Sequence, residues 1–232
     1  MPPPFQWYRA SWDEYVALRD RDDRDLRKIA FDQGWLWIDM GKEGINHSGF
    51  SDLFTALFFL WALHHPEILY TSLGRCLLEK PGTQACVPDL VLYVRVDFPI
   101  WQPGEPRRID LNQWRVPNLV GEISDTTLAN DLDQQKHLYA ALGIPEYWVI
   151  DVQGRRVFAF LLDEAGNYQP CSQSEALKGL PIALLEQTIE KLMTSTNTAA
   201  AGWFAQQISG LTLENTPQIL GRMEDPDNFD TI

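Results

Sequence analysis

Basic residues are scarce in this sequence: 19 Lys and Arg stand against 32 Asp and Glu, a formal net charge of −13. Generic nucleic-acid binders carry the opposite balance, because phosphate neutralisation dominates their affinity. A chain this acidic repels DNA at long range unless its positive charge is gathered locally. Cysteine is scarce as well, with three residues, an odd number, and no CxxC pair. That pattern points to reduced thiols in a cytoplasm, with Cys86 and Cys171 as small packing residues. Long apolar runs are missing: the longest, Leu53 to Leu63, has 11 residues, too short to span a bilayer, so no membrane partner is expected. The opening stretch, MPPPFQWYRASWDE, lacks the basic-then-apolar pattern of a secretory signal. There is no internal repeat.

What is present is core-forming material. The 232 residues are 45% hydrophobic and include nine Trp, enough for one full domain with an elaborated end. We expect a main domain over 1–192 and a C-terminal helical extension with an acidic tail over 193–232.

Ser11-Trp12-Asp13-Glu14 has the spacing of a capping box and predicts a short helix. The charged run Arg19 to Lys28 reads as a solvated connection. IAFDQGWLWIDM alternates around Gly34 and predicts a β-hairpin. A helix opens at Asn46 or Ser48, carries Leu53, Leu57, Leu60 and Trp61 at helical spacing, and closes before Pro66; His64-His65 resembles its cap more than a ligand pair. Strands are predicted near 68–73 and 76–80, joined at Gly74, then over 85–95 and 118–124. A Pro- and Trp-rich connection of about 20 residues separates the last two and is long for a simple linker. NDLDQQKHLYAALG predicts one helix ending at Gly143. PEYWVID and RRVFAFLL predict an antiparallel pair around Gln153-Gly154. Helices follow from Pro181 to Met193 and over 198–208. This order predicts a mixed α/β protein with one central sheet.

The chemistry concentrates on two strands. Side chains alternate along a strand, so Asp89, Val91 and Tyr93 share one face, as do Val120, Glu122 and Ser124. Each strand therefore carries one carboxylate among apolar neighbours, where an ionised group needs compensation. Two hard oxygen ligands at a sheet edge suit Mg²⁺ or Mn²⁺, whereas neither segment offers Cys or His at zinc spacing. On a continuous helix, Leu128, Leu132, Lys136 and Tyr139 fall within one arc. Lys136 on that packed stripe needs an anion, which the carboxylates would supply; alternatively it snorkels to solvent.

Pro88-Asp89, Glu122-Ile123-Ser124, Asp131, Lys136 and the segment Gly143 to Asp151 (GIPEYWVID) together resemble the bacterial restriction endonuclease-like family within the PD-(D/E)XK nuclease superfamily. The resemblance covers about residues 11–190. It implies a restriction endonuclease-like core, a central mixed sheet flanked by helices, with an N-terminal hairpin. It also implies that Asp89 and Glu122 hold the metal, with Lys136 as the third catalytic residue. The usual lysine two residues after the glutamate is here Ser124, so Lys136 is expected to reach the place from the next helix. Many members carry a further acidic residue in the hairpin, where this chain has Ala30; Asp32, Glu43 or Asp52 are the nearby substitutes.

Other residues have weaker claims. His47 lies where the family often has a histidine, and a satisfied helix-start histidine is an equal reading. Asp131 is most simply an N-terminal helix charge favoured by the helix dipole, with an active-site role as the alternative. Arg107, Arg108 and Arg115 in the long connection are the candidates for DNA contact. The resulting expectation is a Mg²⁺- or Mn²⁺-dependent endonuclease acting on DNA as a homodimer. The rival is an inactive nuclease-fold protein serving as a binding or scaffold module, favoured by the acidic charge and by Ala30.

Overall fold

The computed structural model describes residues 6–21, 28–39 and 44–214. Glu43 and the acidic terminal segment RMEDPDNFDTI lie outside them.

The chain opens with β1 (Tyr8–Arg9) and α1 (Trp12–Arg19). Ser11 caps α1 as its sequence predicts: its hydroxyl accepts from Glu14 N at 3.2 Å, and the Glu14 carboxylate accepts from Ser11 N at 2.6 Å. The hairpin is β2 (Lys28–Asp32) and β3 (Trp35–Asp39). Its two turn residues, Gln33 and Gly34, both have positive φ, 47° and 89°, the geometry whose twist matches that of the strands. Next come α2 (Ile45–His64), β4 (Tyr70–Ser72), β5 (Leu78–Lys80), β6 (Gln84–Cys86) and β7 (Leu90–Val94). At the end of α2, His65 is the cap residue, with Nδ1 3.0 Å from Trp61 O.

The second half holds β8 (Ile109–Asp110), β9 (Leu119–Ser124), α3 (Leu128–Leu132), α4 (Gln134–Leu142), β10 (Glu146–Asp151), β11 (Arg156–Leu162), β12 (Tyr168–Pro170), α5 (Ile182–Leu192) and α6 (Asn197–Glu214). β10 and β11 pair antiparallel as expected, and β9 and β10 pair parallel across the α3–α4 crossover. The long Pro- and Trp-rich connection contains β8, which adds to β5.

Two sheets, rather than one central sheet, carry the fold. The first has the order β1-β3-β2-β6-β5-β8 and the second β12-β11-β10-β9-β7-β4. The reason lies at Pro88-Asp89. The predicted strand 85–95 is two strands: β6 pairs in the first sheet, β7 in the second, and Pro88-Asp89 is the corner between them. Proline has no N–H to donate to a ladder, so it belongs at such a break. β4 and β5, joined through Gly74, are likewise split between the sheets.

One face of the second sheet (Leu90, Leu92, Leu119, Ile123, Trp148, Ile150) packs against α2, α5 and α6, and Phe204 of α6 lies within that same core. The opposite face (Val91, Tyr93, Val120, Tyr147, Val149) packs against α4 and against Ala30 and Trp37 of the hairpin. The site forms in this second layer, where hairpin, corner, β9 and α4 meet. Among the described residues no helix is long and apolar enough to cross a membrane.

Candidate active site

Asp89 and Glu122 meet as the alternation pattern requires. β9 places Glu122 on the α4 side of the sheet, and the corner turns Asp89 to the same side; both are 2% exposed. The corner is held from above by a close backbone crossing. Arg75 N donates to Pro88 O at 2.9 Å, and a Cβ on Gly74 would lie 2.5 Å from Asp89 O, so only glycine fits there.

The cation between the carboxylates is Lys28, from the first position of β2. Its Nζ lies 2.7 Å from Asp89 Oδ1 and 2.7 Å from Glu122 Oε2. The remaining oxygens also have donors. Asp89 Oδ2 accepts from Ile123 N at 2.9 Å and lies 3.1 Å from His47 Nε2; Glu122 Oε1 accepts from the Tyr139 hydroxyl. Four elements, β2, α2, β9 and α4, thus converge with the Pro88-Asp89 corner on two carboxylates.

The electrostatics follow from burial, from two carboxyls in contact with one ammonium and from the nearby Asp131. Burial pushes Asp89 up, but Lys28 and His47 outweigh it and hold the carboxyl well below the usual range. Burial dominates at Glu122 and raises it to about 8, with Asp89 and Asp131 adding to the rise and Lys28 opposing it. Burial opposes the charge on Lys28, yet the two carboxylates keep its pKa above the ordinary value. Asp131 is raised by burial, while Thr127, Lys28 and Ser124 counteract this.

Lys136 does not join the carboxylates, and this corrects the expectation from the sequence. Its Nζ lies 3.7 Å from the centroid of the Phe160 ring, and burial lowers its pKa. The helical arc that aimed it inward assumed one continuous helix. The helix breaks at Asp133, with φ −121° and ψ −89°, which resets the phase. In α4 the buried residues are Gln135, Leu138, Tyr139 and Leu142, and Lys136 is rotated about 100° from Gln135 off that face.

The residue missed was Lys28, read from sequence as part of a solvated charged run. The available signal was alternation: Lys28, Ala30 and Asp32 share one face of β2, and Ala30 was already placed beside the site. Of the substitutes for the hairpin acid, Asp32 accepts from Gln84 Nε2 at 3.1 Å, Asp52 is exposed, and Glu43 lies outside the described residues.

Asp131 is buried in α3, accepting from Thr127 Oγ1 at 2.6 Å, while its backbone carbonyl accepts from the Tyr147 hydroxyl at 2.8 Å. The candidate DNA-contacting arginines divide. Arg108 Nε lies 2.6 Å from Glu79 Oε2, a buried carboxylate that also receives Arg19 and Tyr15. Arg115 spends its donors on Asp97 O, Val94 O, Val116 O and Asn118 Oδ1. Arg107 is exposed and lies over Trp101 at 5.5 Å.

As donors, Asp89 Oδ1 and Glu122 Oε2 fit a hard divalent ion: they are carboxylate oxygens already converging on one cation, for which the ammonium stands in. No cluster of three or more His, Cys, Asp or Glu suited to a metal occurs among the described residues, so water and substrate oxygens would complete the coordination.

The two-sheet α/β core is that of a nuclease-fold protein of the restriction endonuclease-like class. The family described as Uma2, "Putative restriction endonuclease", matches residues 12–195, and the chain belongs to that family. A solved structure from Anabaena variabilis, titled a putative nuclease belonging to DUF820, is similar in fold. It has a TM-score of 0.52 and 15% identity, covering 84% of this chain and 99% of that one. No curated protein matches the chain.

Proposed function

We propose that the protein is a divalent-metal-dependent nuclease that hydrolyses DNA phosphodiester bonds at the Asp89–Glu122 pair. The observation that carries this reading is the convergence of two buried carboxylate oxygens, from adjacent segments of the second sheet, on one cation at 2.7 Å each. Mg²⁺ or Mn²⁺ held by these oxygens would polarise a phosphoryl oxygen and acidify a water. The protein's own residues do the rest. Ile123 N and His47 position the Asp89 carboxylate, and Tyr139 positions the Glu122 carboxyl. Lys28 replaces Lys136 as the lysine of the centre: its ammonium stabilises negative charge developing on the phosphate.

The DNA reading rests on family membership and on Arg107, the candidate arginine whose guanidinium makes no ion pair among the described residues. Arg108 and Arg115 serve the fold. A homodimer would offer one centre to each strand of a duplex; light scattering at working concentration tests it.

The rival reading, an inactive nuclease-fold binding module, gains from Ala30 and from the ammonium at the cation position. Plasmid cleavage with Mg²⁺ or Mn²⁺ separates the two. Cleavage by the wild type that is lost in Asp89→Ala, Glu122→Ala and Lys28→Ala supports the nuclease. Undiminished cleavage in all three variants places the chemistry elsewhere, and a wild type inert on DNA and RNA supports the binding module.

A further inference from the structure

All four oxygens of the Asp89–Glu122 pair have a protein partner, three by hydrogen bonds and Asp89 Oδ1 by its ion pair with Lys28, and they divide into two sets. Asp89 Oδ2 and Glu122 Oε1 face the scaffold, engaged by Ile123 N, His47 and Tyr139. Asp89 Oδ1 and Glu122 Oε2 face each other across a gap filled by one atom, Lys28 Nζ. A divalent ion bridging the pair needs the same two oxygens, and an ammonium in contact with both leaves it no room and repels it. Lys28 is also placed to leave. It is the first residue of β2, its side chain keeps 19% exposure, and its stem is flexible.

We propose that Lys28 is a tethered competitor of the divalent ion, holding the ion's position in the metal-free protein and moving off the two oxygens, toward the phosphate whose charge it stabilises, when metal loads. The proposal rests on the nuclease reading for the identity of the ion. Its consequence is thermodynamic. Metal binds only the fraction of molecules whose lysine is displaced, so the apparent affinity is reduced by that fraction. The centre therefore stays neutralised without metal and fills only when the divalent concentration is high enough to displace the lysine.

The test is Mn²⁺ binding to the full chain by calorimetry and electron paramagnetic resonance, comparing wild type, Lys28→Met and Lys28→Met/Asp89→Asn. Lys28→Met is expected to bind one Mn²⁺ at least about tenfold more tightly than wild type, as for a lysine displaced in a tenth of molecules or fewer. Adding Asp89→Asn should remove that site. Because Lys28→Met leaves two buried carboxyls without their ammonium, melting with and without Mn²⁺ is followed in parallel, and Lys28→Gln is measured alongside. A larger Mn²⁺-induced rise in Tm for either variant than for wild type supports the competitor.

Equal affinities in wild type and both variants overturn the proposal; if that wild type also cuts plasmid DNA, the nuclease reading stands alone. Tight binding by the variants with no cleavage by the wild type at saturating Mn²⁺ keeps the competitor and removes the nuclease. No binding by any variant overturns both.

Discussion

The Tyr139 hydroxyl donates to Glu122 Oε1, a buried hydrogen bond that ties the core face of α4 to β9. Removing one partner of such a bond leaves a buried acceptor unsatisfied, at about 1–3 kcal/mol. Tyr139→Phe should therefore lower stability by that amount in urea unfolding. It should also weaken cleavage, because the carboxyl loses its positioning donor.

Stability should depend on pH through Glu122. Its ordinary value is 4.5 and the folded value about 8, so the folded protein binds this proton more tightly than the unfolded chain does. The resulting stabilisation is complete below pH 4.5 and fades as pH rises toward 8. Asp89 acts oppositely, but its lowered value confines its effect to acid below 3.8. Tm should fall between pH 5 and 8, and Glu122→Gln should flatten that decline.

Lysine scanning separates the two candidates for the catalytic cation. Lys136 over the Phe160 ring is a half-exposed cation–π contact worth about 0.5–1 kcal/mol. Lys136→Ala should lower Tm slightly and leave kcat near wild type. Lys28→Ala should abolish cleavage even at Mn²⁺ concentrations that saturate binding.

Two glycines predict opposite outcomes. Gly74→Ala would drive a Cβ to 2.5 Å from Asp89 O, displacing the corner that carries the carboxylate; a loss of about 1–3 kcal/mol is expected, together with reduced cleavage. Gly49 in α2 has nothing within 4 Å of a built Cβ, and Gly49→Ala should stabilise by about 0.5–1 kcal/mol. Thermal melts of both variants decide the matter.

Arg115 binds four backbone or side-chain oxygens of its own chain. Arg115→Ala should unfold more easily than Arg107→Ala, whereas Arg107→Ala should weaken DNA retention in a filter assay with little change in Tm.

Much of the fold was legible because periodicity is a local property. The Ser11 cap, the turn at Gly34 and the β10–β11 hairpin each carry their signal within a few residues. The carboxylate pair was legible for the same reason, since alternation fixes the faces of Asp89 and Glu122. What escaped was change of direction. A strand pattern continues through Pro88-Asp89 although the chain passes to another sheet, and a helical pattern continues through Asp133 although the backbone there leaves the helix. Both breaks depend on what packs nearby. The second misplaced Lys136. Lys28 was hidden because a lysine at the end of a charged run looks like any solvated lysine until the opposing sheet is in place.

The Pro88-Asp89 corner also bears on how the protein folds. Lys28 comes from the first sheet and Glu122 from the second, and 94 residues separate them in sequence. Neither sheet alone can assemble the ion triad, so the carboxylates give up hydration and find their counter-charge only when the two sheets dock. Docking across so many residues is slow relative to local pairing. Substitutions at Lys28 or Glu122 should therefore leave the folding rate nearly unchanged and accelerate unfolding, the signature of contacts made after the transition state.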